Sequence, residues 1–420
     1  MPPRRRSAKG KRAVPPGPGR GCASLDALPD EVLHHVLSFL PAQEAVRTCV
    51  LARRWRHLWR SASGLRISSG GENEAASMVE LREFVDHLFL LRGGSPLDAC
   101  HFSLLDIDDD DDDTRRINLW IRHVLMCRVG VLSLNISWHS GCWTTRFYLD
   151  DLPLVSGHLK RLELSRLHLN GSIVDFSSCP VLEVLEIKEC DIFDLDRIAS
   201  QSLKCLSIGG NCEFSHSHRI HVYAPNLVSL WLEVFYGRAP VLGRMPSLVE
   251  GVVKIDANDG DFCDNADSGN CEDEHCPCCY GIPGDTDCVL LHGLSEAQSL
   301  VLMSEIEMFI FRRDLKCCPT FTKLKTLSLD EYWCVPADFS ALTCILEHSP
   351  VLEKLTLQLF CKGHKSKVQM KGSPDPTERS NEILEHLKVV EVKCEVVDDR
   401  VLNVLEFLNK LGICSYRFQF

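Results

Sequence analysis

The sequence predicts an α/β chain: a small helical module near its N-terminal end, followed by a solenoid built on a parallel sheet. Three observations lead there. Over 420 residues, 45% hydrophobic and 25% charged is the balance of an ordinary globular protein. Residues 28–59 place apolar side chains at helical spacing, with prolines as punctuation. From about residue 100 the pattern L-x-x-L-x-L returns again and again.

Composition narrows the function classes. No apolar run approaches the roughly 18 residues of a membrane span, and residues 1–21 contain no apolar stretch like that of a secretory signal. The expected compartment is therefore the nucleus, the cytoplasm or both. The net charge of -12 is concentrated in segments. Residues 1–25 hold seven Lys/Arg and no acid, Asp106 and Asp108–Asp113 are seven acids in one run, and residues 255–291 hold ten acids and no Lys or Arg. The remainder carries 39 basic and 41 acidic residues, too even for a nucleic-acid-binding face. There are 22 cysteines, many of them isolated in apolar stretches of a long chain without a signal, which favours reduced, buried thiols over a disulfide framework.

The expected organisation begins with a disordered basic tail over residues 1–24, rich in Pro, Gly, Arg and Lys. Its cluster Arg4, Arg5, Arg6, Lys9, Lys11, Arg12 suits a nuclear import receptor or a merely solvated tail. A helical module follows over 25–62. Val32, Leu33, Val36, Leu37 and Leu40 form an apolar stripe on a first helix, with Asp30 at its positive end. Pro41 ends that helix and starts a second through Ala45, Val46, Cys49 and Val50. A basic, aromatic third segment is Arg53-Arg54-Trp55-Arg56-His57-Leu58-Trp59. Three short helices bury little surface alone, so such a module needs a partner.

The stretch LPDEVLHHVLSFLPAQEAVRTCVLARRWRHLW, residues 28–59, resembles a plant-type F-box. The match rests on Leu28-Pro29, the Leu40-Pro41 break, Val46-Arg47-Thr48, Val50-Leu51, Arg54-Trp55-Arg56 and Trp59. An ordinary three-helix core would explain the apolar stripe but not the LP start and RWRxLW end together. The resemblance implies docking on the Skp-type linker subunit of an SCF ubiquitin ligase and, through it, on cullin. Leu28, Pro29, Leu33, Leu37, Val46, Val50, Trp55 and Trp59 are the docking candidates, with about half expected to touch the partner and the rest to form core.

The solenoid is expected over 100–380. Leu182-x-x-Leu185-x-Ile187-x-x-Cys190 and Leu203-x-x-Leu206-x-Ile208-x-x-Asn211 fit the leucine-rich repeat. Leu159/Leu162/Leu164, Leu227/Leu230/Leu232, Leu324/Leu327/Leu329 and Leu352/Leu355/Leu357 keep its core; Val129/Leu132/Leu134 and Leu300/Leu302 are degenerate copies. The steps from Leu162 to Leu185, Leu206 and Leu230 are 23, 21 and 24 residues, within the usual range of about 20–29. The step of 28 from Leu327 to Leu355 predicts an irregular back. Each copy supplies a short strand whose alternate residues stack inward, and the Cys or Asn bonds backbone where the chain turns. Residues 106–113 and 256–291 are expected as acidic loops. Residues 381–420 resemble the FBD segment that ends many plant F-box repeat proteins. They are expected to cap the array with a strand, an acidic turn and a helix presenting Val401, Leu402, Leu405 and Leu408.

No catalytic residue is expected. The chain lacks G-x-x-x-x-G-K-[ST], G-x-S-x-G and H-E-x-x-H, and no cysteine has a distinguishing neighbourhood. Cys271, His275, Cys276, Cys278, Cys279 and Cys288 are metal-ligand types, but their spacing lacks two separated C-x2-C knuckles. His216, His218 and His221 read as a surface loop, and Asp108–Asp113 lacks the Gly and terminal Glu of an EF-hand. No metal or cofactor is expected, nor a nucleic-acid or membrane partner. The resemblance implies a substrate-recognition adaptor whose repeats hold an unknown protein target. A non-degradative scaffold with a vestigial F-box stays open beside it.

Overall fold

The computed structural model describes residues 25–69, 78–107, 111–138, 146–149, 154–170, 176–233, 235–255, 288–304, 310–334, 339–360, 386–413 and 416–419. The basic tail, most of the segment 256–291 and the repeat-to-cap junction at 361–385 lie outside these residues.

The module opens with a 3-10 turn at Leu25–Ala27, then α1 (Asp30–Leu37) and α2 (Ala42–Arg47). Pro29 and Pro41 occupy the N-cap positions, where a missing N–H costs nothing. The expected second and third helices are shorter than their patterns. After α2 the chain continues in 3-10 turns at Thr48–Val50, Arg53–Arg56 and Leu58–Ser61. These turns bury Trp55, Leu58 and Trp59.

Thirteen strands among the described residues form one parallel sheet. They are β1 (Gly64–Ser68), β2 (Ala99–Ile107), β3 (Val131–Trp138), β4 (Arg161–Ser165), β5 (Val184–Lys188), β6 (Cys205–Gly209) and β7 (Ser229–Glu233). Then come β8 (Glu250–Ile255), β9 (Ser299–Ser304), β10 (Thr326–Asp330), β11 (Lys354–Leu359), β12 (Val389–Cys394) and β13 (Tyr416–Gln419). Their spatial order is their chain order, as a solenoid requires. The sheet starts earlier than residue 100, because β1 follows directly on the module. Gly64 permits this: a Cβ there would lie 2.7 Å from the Ser38 Cβ.

Register stacks the expected leucines. Leu162, Leu185, Leu206 and Leu230 are successive partners, as are Leu300, Leu327 and Leu355. All of these side chains are buried, and one hydrophobic core runs from Leu33 to Ile413.

The side of the solenoid opposite the sheet changes character along its length. α3 (Met78–Arg92) and α4 (Asp111–Met126) back the first strands. In the middle, short strands at 147–148, 167–170, 191–194, 212–213 and 235–236 form a second parallel sheet. Those at 197–199, 221–223 and 241–242 form a third. α5 (Leu291–Leu294), α6 (Ile310–Asp314) and α7 (Ser340–Glu347) back the later repeats, and α8 (Asp399–Lys410) lies between β12 and β13 in sequence.

Several expectations are corrected. Residues 106–113 are not one loop: residues 106 and 107 end β2, and residues 111–113 open α4. Carboxylates suit a helix N-terminus, and Asp113 is buried against Arg82, while Asp112 lies 3.3 Å from Arg116. The acidic segment also stops short of 291. Residues 288–291 are buried, held by the Asp314 carboxylate, which accepts from the amides of Val289, Leu290 and Leu291 at 2.8, 2.6 and 2.9 Å. Burial nonetheless pushes the Asp314 carboxyl up.

At the turn after β5, the Cys190 thiol donates to the Lys188 and Leu164 carbonyls at 3.2 and 3.5 Å. The next repeat uses Cys212, not Asn211, with bonds to Gly209 and Ile187 at 3.1 and 3.6 Å. An extra glycine, Gly210, displaces the motif by one place. Asn211 instead adopts φ 68°, a left-handed conformation shared by Glu189 and Arg166 at the turns of the preceding repeats.

In the C-terminal segment α8 buries Val401, Val404 and Leu408, while Leu402 is exposed. Asp398 caps α8 by accepting from the amides of Arg400 and Val401. The segment continues the main sheet: β12 pairs with β11, and β13 adds one more strand.

Candidate functional site

The helical module carries two parallel apolar stripes along α1 and the residues that flank it. Leu33 and Leu37 form one and are fully buried. Pro29, Val32, Val36 and Phe39, spaced three, four and three residues apart, form the other and are exposed. Phe39 is 60% exposed, and beyond α2 the adjacent Val50 and Leu51 are 82% and 67% exposed. Scattered single apolar residues need no explanation, but a repeated stripe on one short helix is an unpartnered face.

The eight docking candidates divide on this geometry. Leu33, Leu37, Trp55 and Trp59 are buried, and Leu28 and Val46 are half-buried against the core. Pro29 and Val50 are exposed. Val32, Val36, Phe39 and Leu51 are exposed beside them, as is Leu25 at the start of the module. The i, i+3, i+4 apolar spacing contained this information, but one stripe and two adjacent stripes look alike until the core side is known.

The module is fastened at both ends. Arg54 Nη2 donates to the Leu28 carbonyl at 2.6 Å, and its Nε donates to the Asp30 carboxylate at 2.9 Å. This is the physical link between the LP start and the RWR end of the motif. The buried Arg92 guanidinium, at the end of α3, donates to the carbonyls of Trp59, Ala62 and Pro96 at 3.3, 2.6 and 3.2 Å. Burial lowers its pKa. Backbone acceptors on both sides of the junction thus tie the module to the solenoid.

The second candidate surface is the outer face of the main sheet. Here ion pairs run both along single strands and between neighbouring ones. Arg161 reaches both Glu163 and Glu186, Lys188 reaches Glu186 at 3.0 Å, Lys254 reaches Glu233 at 2.6 Å and Lys354 reaches Glu391 at 2.9 Å. The pairs hold the Glu163 and Glu391 carboxyls below their ordinary range: although burial is the largest influence on Glu163 and acts upward, Arg161 and Ser133 outweigh it, and for Glu391 the Lys354 hydrogen bond leads. Among these pairs Trp231 stands 40% exposed, its indole N–H bonded to Ser229 Oγ at 3.1 Å. Its neighbours across the strands are Ser207 and Val252. Sequence reasoning missed Trp231 because the repeat pattern identifies inward positions only.

The remaining candidates do not assemble. His216 is exposed in a bend, and His218 bonds Ser215 Oγ and the Leu195 carbonyl. Of the Cys271–Cys288 group, only Cys288 lies among the described residues. It is buried, with its thiol donating to the Cys317 and Asp314 carbonyls at 2.9 and 3.4 Å. Among the described residues no helix is long and apolar enough to cross a membrane.

Comparison with known proteins matches residues 25–66 to the F-box domain, and residues 124–244 to the leucine-rich repeats described for the FBD-associated F-box protein At5g56370. The chain is 26% identical to the F-box/FBD/LRR-repeat protein At5g22700 of Arabidopsis thaliana, over 94% of this chain and 91% of that protein. It is 30% identical to the F-box/LRR-repeat protein At4g14103 of the same plant, over 55% of this chain and 67% of that protein. It is 25% identical to the F-box/LRR-repeat protein At4g14096, also from Arabidopsis thaliana, over 80% of this chain and 74% of that protein. With an F-box leading into leucine-rich repeats, and relatives that share this order along their length, the chain belongs to the FBD-associated F-box/LRR-repeat family.

Proposed function

We propose that the chain is a substrate-recognition adaptor of an SCF-type ubiquitin ligase. Its F-box docks on a Skp-type linker and through it on cullin, and its repeats hold a protein target for ubiquitination. The observation that carries this reading is the second stripe of α1, where Val32, Val36 and Phe39 stay exposed although the module's core is complete without them. Membership of the family supports the linker as the surface that covers it.

The chain itself performs no chemistry in this reading. It contributes proximity, replacing a bimolecular encounter between target and conjugating enzyme by an effectively intramolecular one. Proximity requires a firm joint, and the Arg92 clamp between module and solenoid supports that requirement. The target contacts the outer sheet face around Trp231, where an aromatic anchor sits in a polar, charged surround. The nucleus and cytoplasm are the compartments in which this assembly would work.

The test is affinity purification of the full chain with the proteasome blocked, read by mass spectrometry. The adaptor reading requires linker and cullin in the wild-type eluate, their loss with Val36→Asp, and a target that persists with Val36→Asp but is lost with Trp231→Ala. A wild-type eluate without linker and cullin would refute it.

A further inference from the structure

Where the solenoid passes from its ninth strand to its eleventh, three metal-ligand side chains meet on the helical side of the sheet. Cys318 follows the 3-10 turn Leu315–Cys317, ahead of β10. Cys344 lies on α7, and His348 is the C-cap of that helix, one turn further on. Their ligand atoms all lie within 4.8 Å of one another. We infer that Cys318, Cys344 and His348 form a zinc-binding site that staples two successive repeats of the solenoid. It departs from the expectation that the chain holds no metal, and it involves none of the residues of the Cys271–Cys279 run.

The donor set and the spacing carry the argument. Two thiolates and an imidazole suit zinc, and three protein ligands leave a fourth position for water or another ligand. Tetrahedral zinc, with Zn–S about 2.3 Å and Zn–N about 2.0 Å, holds its ligand atoms about 3.5–3.8 Å apart. The three groups need only a small contraction to reach that geometry. All three are partly buried rather than sealed in the core, so an ion has a route to them.

The backbone around them is fixed independently of any metal. The Phe321 amide donates to the His348 carbonyl at 2.8 Å, holding the start of one repeat to the end of α7. Cys344 Sγ also reaches the Leu315 carbonyl at 3.7 Å. Below the site, the Asp314 carboxylate pins residues 289–291, and Cys288 Sγ bonds the Cys317 carbonyl. His348 Nδ1 lies 2.8 Å from the Cys344 carbonyl, a bond that would orient the ring and leave the lone pair on Nε2.

Bringing neutral side chains together here serves no packing purpose that larger apolar residues would not serve better. A metal staple offers a purpose. The chain between β9 and β11 is backed by short helices. Cross-linking residue 318 to 344 and 348 would fix the repeat that carries β10 to the one that carries β11.

The experiment uses the reduced full chain with Cys271, Cys276, Cys278 and Cys279 replaced by Ser, so that zinc held by that run does not count. The protein is loaded with zinc chloride, desalted and analysed for metal. About one equivalent should remain, and Cys318→Ser with Cys344→Ser should bring it to none. His348→Gln alone should weaken zinc in competition with a chromophoric chelator by more than roughly tenfold, since a ligand matters at least as much as its supporting shell. Cobalt(II) in place of zinc should show a sulfur-to-metal charge-transfer band that Cys344→Ser removes. Added zinc should raise the melting temperature of the parent and leave that of the double variant unchanged. Matching metal-free melting temperatures will show that the variants are folded. Zinc retained unchanged by the folded double variant would overturn the assignment, as would a parent that binds no zinc with both thiols reduced.

Discussion

Arg54 and Asp30, 24 residues apart in the chain, meet in a two-pronged contact that closes the F-box on itself: the Arg54 guanidinium takes the Asp30 carboxylate and the Leu28 carbonyl together. An isolated surface ion pair would contribute little, but a guanidinium shared between a carboxylate and a backbone carbonyl fixes the direction in which α1 leaves the Leu28-Pro29 turn. Arg54→Ala is expected to lower stability by about 1 kcal/mol, with Arg54→Lys recovering only part because an ammonium lacks the planar fork. Chemical denaturation of the two variants checks this. Equal stability of Arg54→Lys and wild type would mean that charge alone matters.

The two stripes of α1 should respond oppositely to substitution. Leu33→Ala and Trp55→Ala remove buried side chains and are expected to cost about 3–5 kcal/mol. Val36→Asp and Val50→Asp alter exposed positions and should change stability by no more than about 0.5 kcal/mol, while weakening linker binding roughly tenfold or more. Thermal melts and calorimetric titration with a purified linker separate the two effects. Undiminished binding by both Asp variants would remove these residues from the interface.

The repeats make a similar contrast. Leu185 and Leu206 are paired in register and buried, so either one changed to Ala should cost about 2–5 kcal/mol. Ser207, next to Leu206 on β6 and facing outward, should tolerate Ala within about 0.5 kcal/mol. Glu186 also faces outward, but it accepts from both Arg161 and Lys188. Glu186→Gln should therefore destabilise slightly, by about 0.5 kcal/mol, and less at high salt. Melting curves at two salt concentrations would show it.

Asp330, at the end of β10, should give stability a specific pH dependence. Burial pushes its carboxyl up to about 7, with the Ser304 amide bond at 2.6 Å opposing the shift and Glu331 adding to it. In the unfolded chain the same group titrates near ~3.9. Its contribution is thus fully present below about pH 4, where both states are protonated. It is lost as pH rises toward about 7, because the unfolded chain ionises first. Asp330→Asn should abolish this slope and be more stable than wild type by about 2 kcal/mol at pH 8. Denaturation midpoints from pH 4 to pH 8 test it. A wild-type minus variant difference that does not change with pH would rule out the raised carboxyl.

Legibility in the sequence followed the strength of each local pattern. The strands at Leu185 and Leu206 were readable because both inward positions carry large aliphatic side chains. β8 was not, because its copy reads Leu248-x-x-Gly251-x-Val253. Gly251 takes the inward place of a leucine, and a Cβ there would lie 2.7 Å from the Leu300 side chain. β1 escaped because its copy opens on Ala62 in place of the first leucine, and β2 because its inward positions are Cys100 and Phe102. The acids at 111–113 read as a loop because like charges repel, yet Arg82 arrives from α3, Arg116 lies one turn along the same helix, and the helix end accepts negative charge.

By itself the sequence determined what periodicity and local chemistry can encode. These are the helical module, the inward leucine ladder, the parallel order of the repeats and the resemblance that names the family. Tertiary structure decided everything that depends on which face is covered. It chose which of two apolar stripes on α1 becomes core, which thiol bonds the turn after each strand, and where Trp231 stands on the outer face. It also brought Cys318 beside the i, i+4 pair Cys344 and His348, across a stretch of sequence that carries no spacing signal. The physical reason is the same in each case: a one-dimensional pattern records that a residue is apolar, charged or able to bind metal, whereas burial and proximity are set by the chain segments that pack against it.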